Sequence, residues 1–393
     1  MHTPVYLDTT STVDTFLASI ANARILALDT EGASFHRFVD RIYLLQLSTR
    51  EHTAILDPIP IGKPPTLGQL LEDSGVEIVF HDADYDLRLL RQDYGWLVRN
   101  IFDTRLAAQL LGIKSFGLAA LLERYFGVKI DKKYQRADWS LRPLTQGMLD
   151  YAAQDTIHLL ELRNRLKEDL DRAGRWGWAQ EEFSLLEGTR WSDESPSEAF
   201  FRIKGARDLN RRELAILREL VPWRDDVARV LDRATFRVIG NEQLLDIARV
   251  QPASREALGS IKGMPRGILE ARGEELLDAV QRGLAVPDNA LPRFPKAKRW
   301  DRDPDFDTRV NALKTVRDAA ASRLDLDPGV LCSRDRMEAV ARHNPETLEQ
   351  LNDVSELRNW QRQLLGADFV KALSPHRKPA AATKDESPYR DQN

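Results

Sequence analysis

The sequence predicts an α/β domain followed by two small all-α helical bundles. Three observations lead to this prediction: short strand-like segments come first, helical periodicity replaces them after Asp84, and part of the later helical region is repeated. Strands followed by helices, with some mixing, are typical of a domain in which helices cover a sheet. At 393 residues the chain is too long for one ordinary core, so two or three domains are expected.

The predicted sheet lies between Arg24 and Phe80. Four apolar segments, separated by polar turns, have the length and the β-branched residue content of strands. Their sequences are ARILALDTE, RIYLLQLST, HTAILDP and VEIVFHD. We therefore expect a sheet in the first part of a domain that spans residues 1–190.

Helical periodicity begins after Asp84. The helical segments are YDLRLLRQDYG, TRLAAQLLG, GLAALLERYFG and a longer stretch from Leu144 to about Leu170. Glycines follow these segments at the places where helices are expected to stop. These glycines are Gly95, Gly112, Gly127 and Gly174.

The rest of the chain is helical and contains an internal repeat at a constant offset of 93 residues. The repeated residues include Leu220, Arg224, Asp225, Ala228 and Asp232, which recur as Leu313, Arg317, Asp318, Ala321 and Asp325. We predict two copies of one small helical bundle, at residues 208–287 and 306–373. Linkers of residues 191–207 and 288–305 precede the copies, and the second linker is rich in proline and charge. Residues 374–393 lack an apolar pattern, which predicts a disordered tail.

Composition limits the classes of protein to consider. Cys332 is the only cysteine, which excludes an internal disulfide and a cysteine-based metal site and favours a reducing compartment, the cytoplasm. The sequence has no basic start with an apolar run and no stretch long enough to cross a bilayer, so secretion and membrane insertion are disfavoured. A net charge of -4 argues against coating nucleic acid by bulk electrostatics, although it leaves room for a local basic face. No interface signature stands out, so we expect a monomer.

Asp29 and Glu31 close the strand ARILALDTE. Residues two apart on a strand point to the same face, so both carboxylates aim one way. Their apolar lead-in places them at the carboxyl end of a buried strand, where open α/β sheets bind ligands. The triplet is a weak signal by itself, since solvated acids at a strand end have the same pattern.

Asp86 belongs to a second acidic segment, HDADYDL, at a strand-to-helix turn. The alternation of Asp82, Asp84 and Asp86 suggests a calcium loop, but Leu87 stands where that loop needs glycine and Asp93 where it needs glutamate. A calcium loop is therefore excluded. Helix capping remains an alternative for Asp82 or Asp84.

Tyr151 and Asp155 form a third candidate pair, inside the long predicted helix. Positions i and i+4 share a helical face, so the phenol and the carboxylate are neighbours. The alanines between them keep this face narrow and allow close approach to a sheet. An ordinary half-buried pair has the same spacing, so this motif too is weak by itself.

Taken together, the three motifs resemble those of the DEDD nuclease superfamily, in the subgroup with tyrosine in the third motif. The stretch DKKYQRADWSLRPLTQGMLDYAAQD is similar to the one that leads into the third motif of the ribonuclease D family. The first helical copy resembles the helicase-and-ribonuclease-D C-terminal (HRDC) domain, particularly at PWRDDVARVLD. The second copy is more diverged, and Val316 stands at the position that corresponds to Trp223. The resemblance covers nearly the whole chain.

The resemblance implies a ribonuclease H-like exonuclease domain, a mixed sheet flanked by helices, followed by two HRDC domains. It implies a 3′-to-5′ exoribonuclease that releases nucleoside 5′-monophosphates and matures the 3′ ends of tRNA precursors. Two divalent cations, Mg²⁺ or Mn²⁺, would be held by Asp29, Glu31, Asp86 and Asp155, since both ions prefer oxygen ligands. By the same resemblance, Asp29 bridges both ions, Glu31 and Asp155 complete the ion on the nucleophile side, and Asp86 supports the second ion. Tyr151 would orient the attacking water or help to deprotonate it.

Four further residues are predicted to contact the substrate: Gln46, His81, Lys132 and Arg142. Gln46 lies in the strand RIYLLQLS and His81 beside the second motif, and each is equally well explained as a satisfied core polar group. Lys132 and Arg142 belong to a positive run before the third motif that would hold phosphates. A solvated basic face explains that run equally well.

Other functions fit parts of the same pattern. A DNA 3′-to-5′ exonuclease would use the same carboxylates, and a metal-free scaffold would bind RNA without cutting it. A hydrolase with an aspartate nucleophile is disfavoured, because Glu31 stands where a second aspartate would be needed. The helical modules are predicted either to grip RNA or only to pack against the catalytic domain.

Overall fold

A computed structural model describes residues 4–130, 133–191, 196–295 and 304–376. Residues 377–393 of the predicted tail, and parts of both predicted linkers, lie outside this described part. The chain forms two compact units. The first comprises Met1–Arg105, Gly117–Arg165 and Phe183–Lys298, and the second comprises Leu106–Phe116, Leu166–Glu182 and Arg299–Asn393. These units do not follow the predicted domain boundaries, which stay predictions.

A six-stranded mixed sheet forms the core of the first unit. Its strands are β1 (Val5–Leu7), β2 (Ile25–Glu31), β3 (Leu44–Ser48), β4 (Thr53–Leu56), β5 (Glu77–Phe80) and β6 (Ile101–Asp103). They lie in the order β1-β4-β3-β2-β5-β6, with β3 antiparallel to both of its neighbours and the other pairs parallel. The mixed sheet confirms the predicted fold class. The four predicted strands occupy its centre, whereas β1 and β6, of three residues each, are too short to show periodicity in the sequence.

Helices connect the strands and follow them. They are α1 (Thr10–Ser19), α2 (Pro58–Ile61), α3 (Pro65–Glu72), α4 (Asp84–Tyr94), α5 (Thr104–Leu110), α6 (Leu118–Phe126), α7 (Gln146–Ile157), α8 (Leu159–Arg172) and α9 (Trp176–Leu186). α4 and α6 end at Gly95 and Gly127, whose left-handed φ values of 73° and 67° explain the predicted stops. The single long helix predicted after Leu144 is interrupted at His158, which separates α7 from α8.

Small and hydroxyl side chains fix α7 to the sheet. Ala152 and Ala153 are buried in the cluster that joins this helix to the strands, as close approach requires. The hydroxyl of Ser48 on β3 donates to that of Thr156 at 2.8 Å, and a second hydrogen bond of 3.0 Å joins Ser48 to Thr53 on β4. Helix α7 therefore has a defined position over β3 and β4.

The first helical bundle belongs to the first unit. Its helices are α10 (Arg211–Leu231), α11 (Thr235–Val238), α12 (Asn241–Val250), α13 (Arg255–Gly259) and α14 (Arg266–Leu284). Trp223 is buried, and its Nε1 donates to Glu275 at 3.3 Å, so it is a core aromatic residue of the bundle. The core extends into the predicted first linker, where Phe200 and Ile203 are buried in the same cluster. That part of the linker is therefore structured.

The second bundle lies in the second unit and comprises α15 (Phe306–Leu324), α16 (Pro328–Leu331), α17 (Arg334–His343) and α18 (Asn359–Leu373). Three of its helices begin 93 residues after their counterparts: α16 after α11, α17 after α12 and α18 after α14. Asp232 and Asp325, which end the first helix of each copy, both have left-handed backbones with φ of 44° and 50°. Ser374–His376, assigned to the disordered tail, form a short 3-10 helix. None of the helices in the described part of the chain combines the length and the apolar character that a membrane span requires.

Arg142 ties the segment before α7 to the sheet. Its Nε and Nη2 donate to the two carboxylate oxygens of Asp57, at 2.5 and 2.8 Å. The same guanidinium donates to the carbonyl oxygens of Trp139 and Tyr43, at 2.7 and 2.9 Å. Asp57 is only 1% exposed and also accepts a hydrogen bond from Tyr6. The arginine thus compensates a buried carboxylate in bidentate geometry.

Replacing Arg142 by alanine is expected to lower the free energy of unfolding by about 3 kcal/mol, because Asp57 would stay buried without its charged partner. Urea unfolding followed by circular dichroism measures the loss. Arg165→Ala is the control, since Arg165 and Glu161 form an exposed i,i+4 pair, and such pairs contribute about 0.5 kcal/mol or less. Equal losses in the two variants would contradict the structural role of Arg142.

Candidate active site

Asp29 and Glu31 lie at the carboxyl end of β2. This strand pairs with β3 on one side and β5 on the other, which places it inside the sheet. Leu26, Ala27 and Leu28, immediately before the acids, are fully buried. The strand therefore carries both carboxylates from the core to the edge of the sheet, on one face.

Asp86 lies in the first turn of α4, which follows β5. Its Oδ1 accepts hydrogen bonds from the backbone N–H and the hydroxyl of Thr30, at 2.9 and 2.6 Å. Thr30 is the residue between the two acids of β2, so these bonds fix Asp86 beside the end of that strand. The turn before α4 is held by the buried Asp103, which accepts from the N–H groups of Asp82 and Ala83 at 3.3 and 2.8 Å.

Neither Asp82 nor Asp84 caps α4, so the capping alternative is wrong for both. The N-cap residue is Ala83, whose own side chain makes no capping hydrogen bond. Asp82 instead pairs with Arg105, and Asp84 pairs with Arg88 at 2.7 Å. Both carboxylates are largely exposed, in contrast to the third aspartate of the same segment.

Asp155, on α7, completes a compact group of carboxylates. One oxygen atom from each of Asp29, Glu31 and Asp155 lies within 4.8 Å of the other two. Asp155 precedes Thr156, whose hydrogen bond to β3 sets the position of the helix over the sheet. The two acids at the end of β2 and the acid on the distant helix α7 thus lie close together.

Burial raises the pKa values of the four predicted ligands, and repulsion between them adds to it for Asp29 and Glu31. Burial is the largest cause for Asp29 and Glu31, whose pKa values lie well above the usual range, and the charges of Asp86 and Asp155 add to it. Burial also raises the pKa of Asp155 to about 7. For Asp86, burial raises the pKa to about 7 against the opposing effect of its hydrogen bonds from Thr30. A bound divalent cation would relieve this repulsion, and the all-oxygen donor set suits one.

Tyr151 lies one helical turn before Asp155 and beside two aromatic rings. Its ring centroid is 6.0 Å from that of Tyr134, in an edge-to-face arrangement, and 6.1 Å from that of Trp139, in a stacked one. Trp139 is fully buried, which anchors the stack in the protein. These contacts restrict the phenol to the helical face that carries Asp155.

Gln46 and His81 have different surroundings. Gln46 is fully buried on β3, directly opposite Asp29. Its Nε2 lies 3.5 Å from Oε1 of Glu31, and its own Oε1 has no hydrogen-bond partner in the described part of the chain. His81 forms a hydrogen bond of 2.9 Å with Thr104, and burial lowers its pKa to about 4. Gln46 therefore reaches the acidic group, whereas His81 is uncharged at neutral pH.

The structure describes one of the two basic residues of the prediction, Arg142, and does not bring it into the acidic group as a free cation. Lys132 lies outside the described residues. The guanidinium of Arg142 is engaged by Asp57 and by backbone carbonyl groups. The contacts of Lys132 and Arg142 with substrate stay predictions.

Comparisons with known proteins match both parts of the chain. A family model described as 3′-5′ exonuclease matches residues 4–171, and a model of the HRDC domain matches residues 213–280 and 307–373. A ribonuclease D of Gluconacetobacter diazotrophicus is 31% identical over 370 residues, which are 93% of this chain and 92% of that protein. The chain belongs to the ribonuclease D family. The ribonuclease D of Escherichia coli strain K12 is 30% identical over 93% of this chain and 98% of its own length.

Solved structures support the same membership. The crystal structure of Escherichia coli RNase D, described as an exoribonuclease involved in structured RNA processing, matches with a TM-score of 0.73 and 26% identity, covering 96% of this chain and 100% of that chain. A protein from Bifidobacterium adolescentis matches with a TM-score of 0.80 and 26% identity, over 94% and 97% of the two chains. The predicted class, a 3′-to-5′ exoribonuclease of the ribonuclease D type with HRDC domains, is confirmed.

Three residues that shape this ribonuclease D site carry no motif of their own: Thr30, Asp103 and Tyr134. Thr30 is buried between the two acids of β2, and its partner Asp86 is 56 residues away. A hydroxyl at the end of a buried strand is the only signal that the sequence offers for such a contact. Periodicity cannot identify the partner, because the pairing depends on how β2, β5 and α4 come together.

Without divalent ions, Asp155→Asn is expected to stabilise the enzyme more at pH 8 than at pH 5. The pKa of about 7 in the folded state exceeds the ordinary value near 4, so folding becomes less favourable as the pH rises from about 4 to 7 and the carboxylate ionises. Asparagine cannot ionise. Since a tenfold change in proton affinity corresponds to about 1.4 kcal/mol, the gain at pH 8 should exceed that at pH 5 by at least about 1 kcal/mol.

Urea unfolding in EDTA at the two pH values measures this difference. Asp150→Asn is the control, because Asp150 is an exposed acid on the same helix. The same gain at both pH values in Asp155→Asn would show that the carboxylate is not destabilised by its surroundings.

Proposed function

We propose that the enzyme uses two divalent cations to hydrolyse RNA from the 3′ end, releasing nucleoside 5′-monophosphates one at a time. The observation that carries this proposal is the group of Asp29, Glu31 and Asp155, with oxygens within 4.8 Å of one another. Carboxylate oxygens are the ligands that Mg²⁺ and Mn²⁺ prefer, so these are the proposed ions. Asp86, held beside the group by Thr30, is the fourth proposed ligand.

Hydrolysis of a phosphodiester brings water to a phosphate group whose non-bridging oxygens already bear negative charge. Bound divalent ions would stabilise the charge on the attacking and leaving oxygens. The contribution of the chain is to hold its carboxylates ready: β2 presents Asp29 and Glu31, and α7 presents Asp155 across from them. Because burial raises the pKa values of these acids, protons would compete with a cation for their oxygens.

Tyr151 is proposed to orient the attacking water. Its place beside Asp155 on α7, against the rings of Tyr134 and Trp139, supports this role. A phenol is a poor base near neutral pH, so the proposed role is a hydrogen bond to the water. Gln46 is proposed as a substrate contact, because it is buried next to Glu31 and its Oε1 has no partner in the described residues.

The proposed substrate is a structured RNA with an unpaired 3′ end, with tRNA precursors as the leading candidates. The Escherichia coli relative is described as an exoribonuclease involved in structured RNA processing, which supports this choice. We propose the cytoplasm as the place of action, in keeping with the free, buried Cys332. A monomer is the proposed working form.

Asp29→Ala and Asp155→Ala are each expected to slow Mg²⁺-dependent release of mononucleotides by at least about a hundredfold, because each removes an oxygen ligand from the centre of the site. Asp84→Ala is the matched control from the second acidic segment, since Asp84 is exposed and pairs with Arg88. Circular dichroism checks that all three variants keep the fold. Undiminished activity in Asp29→Ala or in Asp155→Ala would contradict the proposed metal site.

RNA and DNA strands of equal sequence, labelled at the 5′ end, test the preference for RNA. We expect the RNA to shorten by single nucleotides in Mg²⁺ or Mn²⁺, the DNA to shorten at least about tenfold more slowly, and neither to shorten in EDTA, because the 2′-hydroxyl lets a protein distinguish RNA from DNA. A tRNA precursor with extra 3′ nucleotides should be trimmed. Equal rates on RNA and DNA would refute the preference, and an untrimmed precursor would refute the proposed substrate.

A further inference from the structure

Two phenylalanines form an exposed aromatic pair where the loop after β2 meets the first HRDC domain. Phe35, in that loop, is 42% exposed, and Phe236, on α11, is 48% exposed. Their ring centroids lie 5.0 Å apart, with the ring planes tilted by 55°. Large apolar side chains that stay exposed side by side mark a binding surface more often than scattered ones do.

Two arginines complete this surface. The guanidinium carbon of Arg136 lies 5.8 Å from the ring centroid of Phe35, and that of Arg237 lies 4.9 Å from it. Both side chains are exposed, and within the described residues neither pairs with a carboxylate. Rings on which bases stack, beside guanidinium groups that bind phosphates, are the combination with which proteins hold single-stranded nucleic acid.

Hydrogen bonds join the loop after β2 to the turn before α11. Asp232 accepts from the backbone N–H of Phe38 at 3.4 Å and from Nη1 of Arg37 at 3.2 Å. The N–H of Ala234 donates to the carbonyl oxygen of His36 at 3.2 Å. These bonds link the two segments directly beside the rings, so the rings form one surface although they come from different domains.

The aromatic pair is close to the acidic group along the chain. Phe35 follows Glu31 by four residues, and four residues span at most about 14 Å. Stacked nucleotides rise by about 3.4 Å each, so this upper limit corresponds to about four nucleotides. An RNA strand whose 3′ end lies at Glu31 can therefore reach the pair with the nucleotides just before the bond that is cut.

The second HRDC domain provides an internal comparison. At the offset of 93 residues, Phe236 and Arg237 correspond to Gly329 and Val330. The left-handed turn before them is nevertheless kept, since Asp325 repeats the conformation of Asp232. Both copies therefore keep the turn, whereas only the first has the aromatic and basic side chains that follow it. The fold therefore does not explain why the first copy has Phe236 and Arg237 at these positions.

We propose that Phe35 and Phe236 form a stacking platform for the single-stranded 3′ segment of the RNA substrate, with Arg136 and Arg237 binding its phosphates. The platform holds the nucleotides that precede the scissile bond. This rests on the proposed function, because it orients the strand whose 3′ end enters the acidic group. It gives the first HRDC domain a direct contact with substrate that the corresponding positions of the second cannot make.

Binding is measured in EDTA, where hydrolysis stops, by fluorescence anisotropy of a 5′-labelled decamer of adenosine with the full-length protein. Phe35→Ala and Phe236→Ala should each weaken binding about tenfold, a loss typical of one base–aromatic stack. Phe35→Trp, which keeps a ring, should restore the affinity. Trp191→Ala is the matched control, because Trp191 is also exposed and lies 5.2 Å from the guanidinium of Arg88. Unchanged binding in both alanine variants, or an equal loss in the control, overturns the platform.

Arg237→Gln tests the same surface with both rings left in place. It should weaken binding of the decamer and reduce the dependence of the dissociation constant on salt, because one phosphate contact is lost. An unchanged salt dependence overturns the phosphate-binding role of Arg237. Thermal unfolding of every variant verifies that the fold is kept.

Hydrolysis in Mg²⁺ distinguishes the platform from the acidic group. In Phe35→Ala the ratio of kcat/KM for the decamer to kcat/KM for the dinucleotide ApA should fall about tenfold, since the decamer has several nucleotides before the scissile bond to lay on the platform and the dinucleotide has only one. An unchanged ratio with both substrates slowed would mean that Phe35 acts on the acidic group itself, which overturns the platform. If the wild-type enzyme cuts neither RNA, the proposed function fails, while ring-dependent binding in EDTA would still support the platform.

Discussion

The crowding of carboxylates at the end of β2 is the interaction on which the rest of the site depends. Burial raises the pKa values of Asp29, Glu31, Asp86 and Asp155, and nearby carboxylates raise those of the first three further, so the folded enzyme loses stability by holding the acids together. The sheet offsets this loss, because the strand that carries the first two acids is apolar and buried up to the point where they begin. Folding and function therefore oppose each other at this edge of the sheet.

Polar contacts around the acidic group set the distances between its carboxylates. Thr30 holds Asp86 through two hydrogen bonds, and the bond between Ser48 and Thr156 fixes the helix that carries the third motif. Further back, the bidentate pair of an arginine and a buried aspartate anchors the segment that leads into the same helix. The four acids thus come from three elements, β2, α4 and α7, and polar contacts hold these elements together, so that distant parts of the sequence converge within a few ångströms.

The sequence predicted the features that depend on local periodicity and on the order of the motifs. The four central strands are long enough to show their pattern, and the acids are identified by the order of three motifs. Asp82, Asp84 and Asp86 look equivalent in the sequence, yet only Asp86 is buried, because that depends on the phase of α4 and on Asp103 about twenty residues later. Arg142 looks like a solvent-facing cation, since its partner is 85 residues away. Such long-range pairs cannot be inferred from local pattern.

The repeated left-handed turn at Asp232 and Asp325 has a consequence for how the HRDC domains can change. The turn and the buried residues around it specify the bundle, whereas the exposed positions of the four-residue helix that follows contribute little to the core. Substitutions at these positions can therefore change which ligand the domain binds without changing its fold. A duplicated bundle in this arrangement can evolve, or be redesigned, so that one copy contacts a new ligand while the other keeps its original surface.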